Sequence, residues 1–226
     1  MKYPYLLLDA DNTLFDFDRG NRVAFSAVCS HFDLPDTEEV FQLYETCNNA
    51  MWAAFDRGEC TKEFLVVQRF RNFFRELGVE RDAEACNAMH LGTLGQQSFL
   101  LPYAEEVCRT LSRDHKLYLV TNAVASVQRG RLAKSTIRPY ITAAFISEEA
   151  GAAKPDPAYF DYVFGRIDGI TKDNCIVIGD SISSDMRGAD RYGLPNCWYN
   201  PRRAPRPDDV RIDWEITDLR QLYDIV

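Results

Sequence analysis

The stretch Tyr5-Leu6-Leu7-Leu8-Asp9-Ala10-Asp11-Asn12-Thr13 constrains this chain more than any other. Its apolar run has no polar break from Tyr5 to Leu8, which suits a strand buried on both faces of a parallel sheet. Side chains two apart at a strand end point the same way, so Asp9 and Asp11 are expected to project together from its carboxyl end. Two carboxylates held side by side repel unless a cation lies between them or one takes up a proton. Both outcomes suit chemistry at phosphorus, where a metal and a proton donor act together. An acidic turn closing a strand is the plainer account of the same residues, because Asp-Asn is common turn chemistry.

Beyond the polar and aromatic connection Phe15 to Gly20, no strong strand signal occurs before about Gln97. Val23, Ala24, Ala27 and Val28 recur at helical spacing within residues 21–32. Pro35-Asp36-Thr37-Glu38-Glu39 opens a second helix, with carboxylates favoured by the first-turn dipole. Val40, Leu43, Tyr44, Cys47 and Met51 share one face of it, and Arg57-Gly58 ends it. Thr61 caps a third helix ending near Gly78, and a fourth is expected over 82–94. Residues 16–97 are therefore expected to form a small all-helical domain inserted after the first strand.

From Phe99 the pattern alternates. Strands are expected over 116–120, 143–146, 175–178 and 196–199, with a last short strand and helix after Asp213. Helices are expected over 103–113, 124–134, 157–167 and 184–192. Such alternation implies an α/β fold with a doubly wound parallel sheet, here built from residues 1–15 and 98–226. Ligands of these sheets bind beyond the carboxyl ends of the strands. Asp9 with Asp11, Thr121 with Asn122, and Asp180 each stand just past such an end.

Net charge is −8, which argues against a general nucleic-acid binder. An acidic protein that handles an anionic substrate needs a local positive centre, either a metal or placed lysines. The seven cysteines form no C-x-x-C pair, which fits reduced thiols in the cytoplasm better than disulfides or a zinc site. His31, His90 and His115 are scattered and form no H-E-x-x-H pattern. No signal peptide is expected ahead of the first strand. No apolar run approaches the ~20 residues of a membrane helix, so no membrane partner is expected. The sequence is silent on oligomeric state.

Four separated motifs occur in order: Asp9-Ala10-Asp11-Asn12-Thr13, Val120-Thr121-Asn122, Ala153-Lys154-Pro155-Asp156-Pro157, and Gly179-Asp180-Ser181-Ile182-Ser183-Ser184-Asp185. In this the sequence resembles the haloacid dehalogenase superfamily of phosphohydrolases. The resemblance implies a Rossmann-like core with an inserted helical cap and an aspartyl-phosphate mechanism. Asp9 is then the nucleophile, and Asp11 the general acid for the leaving oxygen and later the base for water. Mg²⁺ is the implied cofactor, held by Asp9, the Asp11 backbone carbonyl and Asp180, with Asp185 as a further or water-mediated ligand. Thr121 and Lys154 are implied to grip the phosphoryl oxygens, with Asn122 beside them orienting substrate. Taken singly, Thr121-Asn122 also suits a strand cap, Lys154 a solvated loop, and Asp185 a first-turn charge. Asp11 counts against the dehalogenase branch, since a halide leaves without an acid.

Across nearly the whole chain the sequence further resembles the bacterial noncanonical pyrimidine 5′-nucleotidases. Met51-Trp52-Ala53-Ala54-Phe55-Asp56-Arg57-Gly58, Ile146-Ser147-Glu148-Glu149, Phe160-Asp161-Tyr162-Val163-Phe164 and Cys197-Trp198-Tyr199-Asn200-Pro201 carry that resemblance. It implies nucleoside monophosphates, often (deoxy)pyrimidine ones, as substrates. The family usually has glycine where Ala123 stands here. Phe15, Phe17, Trp52 and Phe55 are candidate stacking faces for a base, though core packing of the insert is the favoured account of Trp52 and Phe55. A sugar phosphate or other small phosphate ester, or a phosphomutase reaction, is the alternative on the same core. A catalytically silent phospho-receiver is a third possibility, disfavoured by the intact Asp9, Asp11, Thr121, Lys154 and Asp180.

Overall fold

A computed structural model describes residues 2–226. The chain divides into two compact units, one running to Phe17 and resuming at Ser98–Val226, the other formed by Asp18–Gln97.

The first unit begins with β1 (Tyr5–Leu8), and the chain then leaves through α1 (Phe17–His31). The second unit continues with α2 (Glu38–Asp56), α3 (Lys62–Leu77) and α4 (Ala83–Leu94). Three of these starts carry a side-chain cap: Thr37 accepts from the Val40 amide, Thr61 from Phe64 and Asp82 from Ala85. Gly78 closes α3 in the left-handed conformation, at φ 74°. The core of this unit is aromatic, with Phe25, Phe41, Tyr44, Phe70, Phe73 and Phe74 buried together. Phe41, which the sequence spacing passed over, joins Tyr44 and Cys47 on the buried face of α2. Trp52 and Phe55 are half-buried and meet edge-on at 5.8 Å.

A polar knot runs through that core. Arg69 is buried, and its guanidinium donates to the Val66 carbonyl, Asn48 and Asn87 at 3.0, 2.9 and 3.2 Å. It also lies 3.2 Å from His90 Nδ1, while His90 Nε2 is 2.9 Å from Asn21 Oδ1 and 3.1 Å from the Tyr44 hydroxyl. A buried cation survives only when its donors are satisfied, and here neutral amides, a carbonyl and an imidazole satisfy them.

The first unit resumes with α5 (Ala104–Leu111), β2 (Lys116–Thr121), α6 (Ala125–Lys134), β3 (Ile141–Ile146), α7 (Ser147–Ala150) and α8 (Pro157–Phe164). It ends with β4 (Cys175–Gly179), a π-turn over Ile182–Met186, α9 (Arg187–Tyr192), β5 (Asn196–Tyr199), β6 (Trp214–Ile216) and a 3-10 turn over Leu219–Asp224. Among the described residues, six parallel strands form one sheet in the order β3-β2-β1-β4-β5-β6. This is the doubly wound α/β fold expected from the alternation, with an inserted helical domain. Leu6 and Leu8 pack on one face with α5 and Leu132, whereas Leu7 packs on the other with Tyr159, Phe160 and Ala189. The unbroken apolar run of β1 is thereby explained: both of its faces are core. Most expected helices hold with ends shifted by a few residues, but α1 begins at Phe17, inside the stretch expected to be a connection. The helix expected over 184–192 divides into the π-turn and α9, and α7 and a 3-10 turn at Arg138–Tyr140 were not anticipated.

Where the chain leaves and returns, two segments run side by side. The Asp16 amide donates to the Phe99 carbonyl at 3.0 Å, and the Leu101 amide to the Leu14 carbonyl at 2.9 Å. Phe15 bridges Leu100 across this neck.

Burial, and then the Arg69 charge, hold the His90 pKa well below its ordinary value. The unfolded chain therefore takes up a proton below about pH 6.5 that the folded chain refuses, so His90 costs stability as pH falls. Each pH unit below that point should weaken folding by about tenfold. Comparing acid unfolding of wild type and His90→Gln between about pH 5 and 7 checks this; the variant should lack that component of the slope.

Candidate active site

β1 and β4 are adjacent in register, Leu8 opposite Ile178, at the point where the strand order reverses. The Asp9 amide extends the ladder by donating to the Ile178 carbonyl at 2.8 Å, which sets Asp9 beside Gly179. Beyond Asp9 the chain turns tightly, with Leu14 and Phe15 amides both returning to the Ala10 carbonyl. Asn12 takes the left-handed conformation at φ 56° that this turn requires, a role its short amide tolerates well.

Lys154 is the centre of the site. Its side chain is 1% exposed, so it is not a solvated loop lysine. Nζ donates to Asp9 Oδ1 at 2.7 Å, Asp185 Oδ1 at 2.6 Å and the Val120 carbonyl at 2.6 Å, which engages all three of its protons. Asn122 fixes the loop that carries it: the Asn122 side-chain Nδ2 donates to the Lys154 carbonyl at 2.8 Å, and Asn122 Oδ1 accepts from the Lys154 backbone amide at 3.0 Å. The Lys154-Pro155 peptide is cis.

Asp185 is fully buried in the π-turn after β4, with Oδ2 accepting from the Ser181 amide at 3.1 Å. Gly179 makes room for it: a Cβ there would lie 2.2 Å from Asp185 Oδ2. Asp180 is held from both ends. Thr13 Oγ1 donates to its Oδ1 at 3.2 Å, and the Trp198 indole N–H donates to its backbone carbonyl at 2.8 Å.

Asp9, Asp180 and Asp185 each offer a carboxylate oxygen, all within 4.8 Å of one another. Three carboxylates around one ammonium leave excess negative charge in a largely buried place. Burial, with Asp185, pushes the Asp180 carboxyl up to about 7. Burial and the neighbouring carboxylates raise Asp9 well above the usual range against the pull of Lys154. Burial works to lower the Lys154 pKa, but Asp185 and Asp9 prevail and hold it above its ordinary value. An all-oxygen donor set with unneutralised charge fits a hard divalent cation.

The structure therefore brings Asp9, Lys154, Asp180 and Asp185 into one site. Thr121 is buried at the end of β2, where its hydroxyl accepts from the Ala123 amide at 3.1 Å. The Asp11 side chain does not join the three-carboxylate group; it is turned onto Arg131 of α6. Sequence reasoning passed over Thr13, Trp198 and Arg131. Thr13 and Trp198 lie in stretches already singled out, whereas an arginine within an ordinary helix gives no signal.

A model of the haloacid dehalogenase-like hydrolases matches residues 3–193. The chain belongs to that family. As a haloacid dehalogenase-like hydrolase it has full-length relatives. The Streptococcus pneumoniae protein named pyrimidine 5′-nucleotidase PynA is 32% identical, covering 99% of this chain and 95% of the relative. The Escherichia coli protein named pyrimidine 5′-nucleotidase YjjG is 27% identical, covering 100% of this chain and 99% of the relative. A crystal structure of the Bacillus subtilis HAD-hydrolase YfnB bound to magnesium is 32% identical and superposes with a TM-score of 0.95, covering 100% of this chain and 99% of that one.

Gly179→Ala should force Asp185 away from Lys154. The expected loss is about 1–3 kcal/mol of stability, read by denaturant unfolding, together with a fall in hydrolase activity.

Proposed function

We propose that this enzyme is a Mg²⁺-dependent phosphoric monoester hydrolase that acts through an aspartyl-phosphate. Its preferred substrates are nucleoside 5′-monophosphates, (deoxy)pyrimidine ones among them. The observation that carries the mechanism is the Lys154 ammonium bridging Asp9 and Asp185, with Asp180 in the same cluster. The pyrimidine 5′-nucleotidase relatives, alike along their full length, support the substrate class.

Lys154 holds Asp9 by Oδ1, so Oδ2 is the attacking oxygen. Oδ2 forms a bond to phosphorus as the bond from phosphorus to the ester oxygen breaks, and Asp11 delivers a proton to the departing alkoxide. Asp11 then takes a proton from water. The resulting hydroxide displaces Asp9 from phosphorus, releasing inorganic phosphate and restoring the carboxylate. Thr121 and Lys154 hold the transferred group, with one Lys154 N–H turning its hydrogen bond from a protein acceptor to a phosphoryl oxygen. Asn122 acts at one remove, by fixing the Lys154 loop. Asp9, Asp180, Asp185 and the Asp11 backbone carbonyl would hold Mg²⁺, which supplies charge neutralisation for the phosphoryl oxygens.

Phosphate release should be measured across nucleoside monophosphates and sugar phosphates, with and without chelator. Nucleotide turnover that chelation abolishes and Mg²⁺ restores is expected. Turnover of sugar phosphates alone would sink the nucleotide reading but leave the esterase chemistry intact. Asp9→Asn should lower kcat on the order of 10³-fold or more.

Because Asp180 carries a proton up to about pH 7, Mg²⁺ binding must displace it. Affinity should therefore rise with pH toward 7 and then level off. Calorimetry in two buffers of different ionisation enthalpy reads the released proton directly.

A further inference from the structure

Arg131 lies on α6, outside the Lys154 cluster, and its side chain is 1% exposed. One guanidinium nitrogen, Nη1, donates to Asp11 Oδ1 in an ion pair. The guanidinium carbon sits over the Phe15 ring at 4.6 Å and the Phe17 ring at 6.0 Å. Phe15 is fully buried, and its backbone bridges that of Asp11 within the turn after β1. The buried guanidinium is thus flanked by the two rings while it pairs with Asp11.

A proton donor works only when its carboxyl is aimed within hydrogen-bond reach of the leaving oxygen, and small misplacements cost large factors in rate. Asp11 stands in a turn beyond the last strand residue, where the ladder that orders Asp9 has ended. Its carboxylate is partly exposed, at 27%, and pairs with the Arg131 guanidinium. A rigid planar cation backed by two rings can set the direction of such a carboxylate, which a flexible ammonium would do less well.

We infer that Arg131 is a positioning residue for proton transfer: anchored on α6 and braced by Phe15 and Phe17, it aims the Asp11 carboxyl at the leaving-group oxygen. This rests on the aspartyl-phosphate reading above. It assigns Arg131 no contact with the phosphoryl group or the metal ligands.

Leaving-group dependence provides the test. kcat/KM reports the steps up to cleavage of the ester bond, so it isolates Asp11 as acid from Asp11 as base. An alkoxide leaving from a nucleoside 5′-monophosphate needs a proton, whereas p-nitrophenolate hardly does. Arg131→Gln should lower kcat/KM for the nucleotide by about 10²-fold or more, and for p-nitrophenyl phosphate by a far smaller factor. Asp11→Asn should show the same asymmetry, and the Asp11→Asn/Arg131→Gln double variant should be no worse than Asp11→Asn alone. Arg131→Lys should recover part of the nucleotide rate.

Equal losses on both esters in folded variants would overturn the inference and leave Arg131 a structural or phosphate-binding group. Additive losses in the double variant would do the same. If neither arginine variant folds while Asp11→Asn does, the residue belongs to the fold and the inference fails. Wild-type protein that hydrolyses no phosphate ester would sink the phosphohydrolase reading itself, and this inference with it.

Discussion

One ammonium group organises the carboxyl end of this sheet. Lys154 Nζ lies between the Asp9 carboxylate just past β1, the Asp185 carboxylate in the π-turn after β4, and the Val120 carbonyl of β2. Without that cation, Asp9, Asp180 and Asp185 would crowd as bare like charges in a place with little water, and burial alone already pushes Asp9 and Asp180 toward protonation. Lys154 cannot neutralise all three. The arrangement is therefore stable as a fold and still short of positive charge, which is the condition a site for a divalent cation and a phosphate ester has to meet.

The supports of that ammonium come from three separate pieces of chain. The β1–β4 ladder fixes Asp9, the π-turn after β4 fixes Asp185 through the Ser181 amide, and the Asn122 clamp fixes the lysine loop to the end of β2. Gly179 keeps the space into which Asp185 leans.

Much of this was legible in the sequence. The unbroken run before Asp9 announced a strand buried on two faces, and Leu6, Leu7 and Leu8 do pack on both. Polar residues after apolar runs marked the strand ends, because a doubly wound sheet puts its ligands there. Two kinds of feature stayed hidden. Arg131 reads as a surface residue of an amphipathic helix, and only the third dimension brings it to Asp11, far away along the chain. The Arg69–His90 knot lies on several helices at once, so no local period exposes it. The π-turn carrying Asp185 read as part of a plain helix, because a one-residue widening leaves no mark on hydrophobic spacing.

The neck at Phe15 and Leu100 has a consequence for how such proteins diversify. It cinches the base of the excursion, fixing the points at which the chain leaves and returns. For a loop already closed at its root, lengthening adds an entropic penalty that grows only logarithmically. Residues between the two arms of the neck are thus free to lengthen, shorten or be replaced wholesale while Asp9 keeps its ladder position beside Gly179.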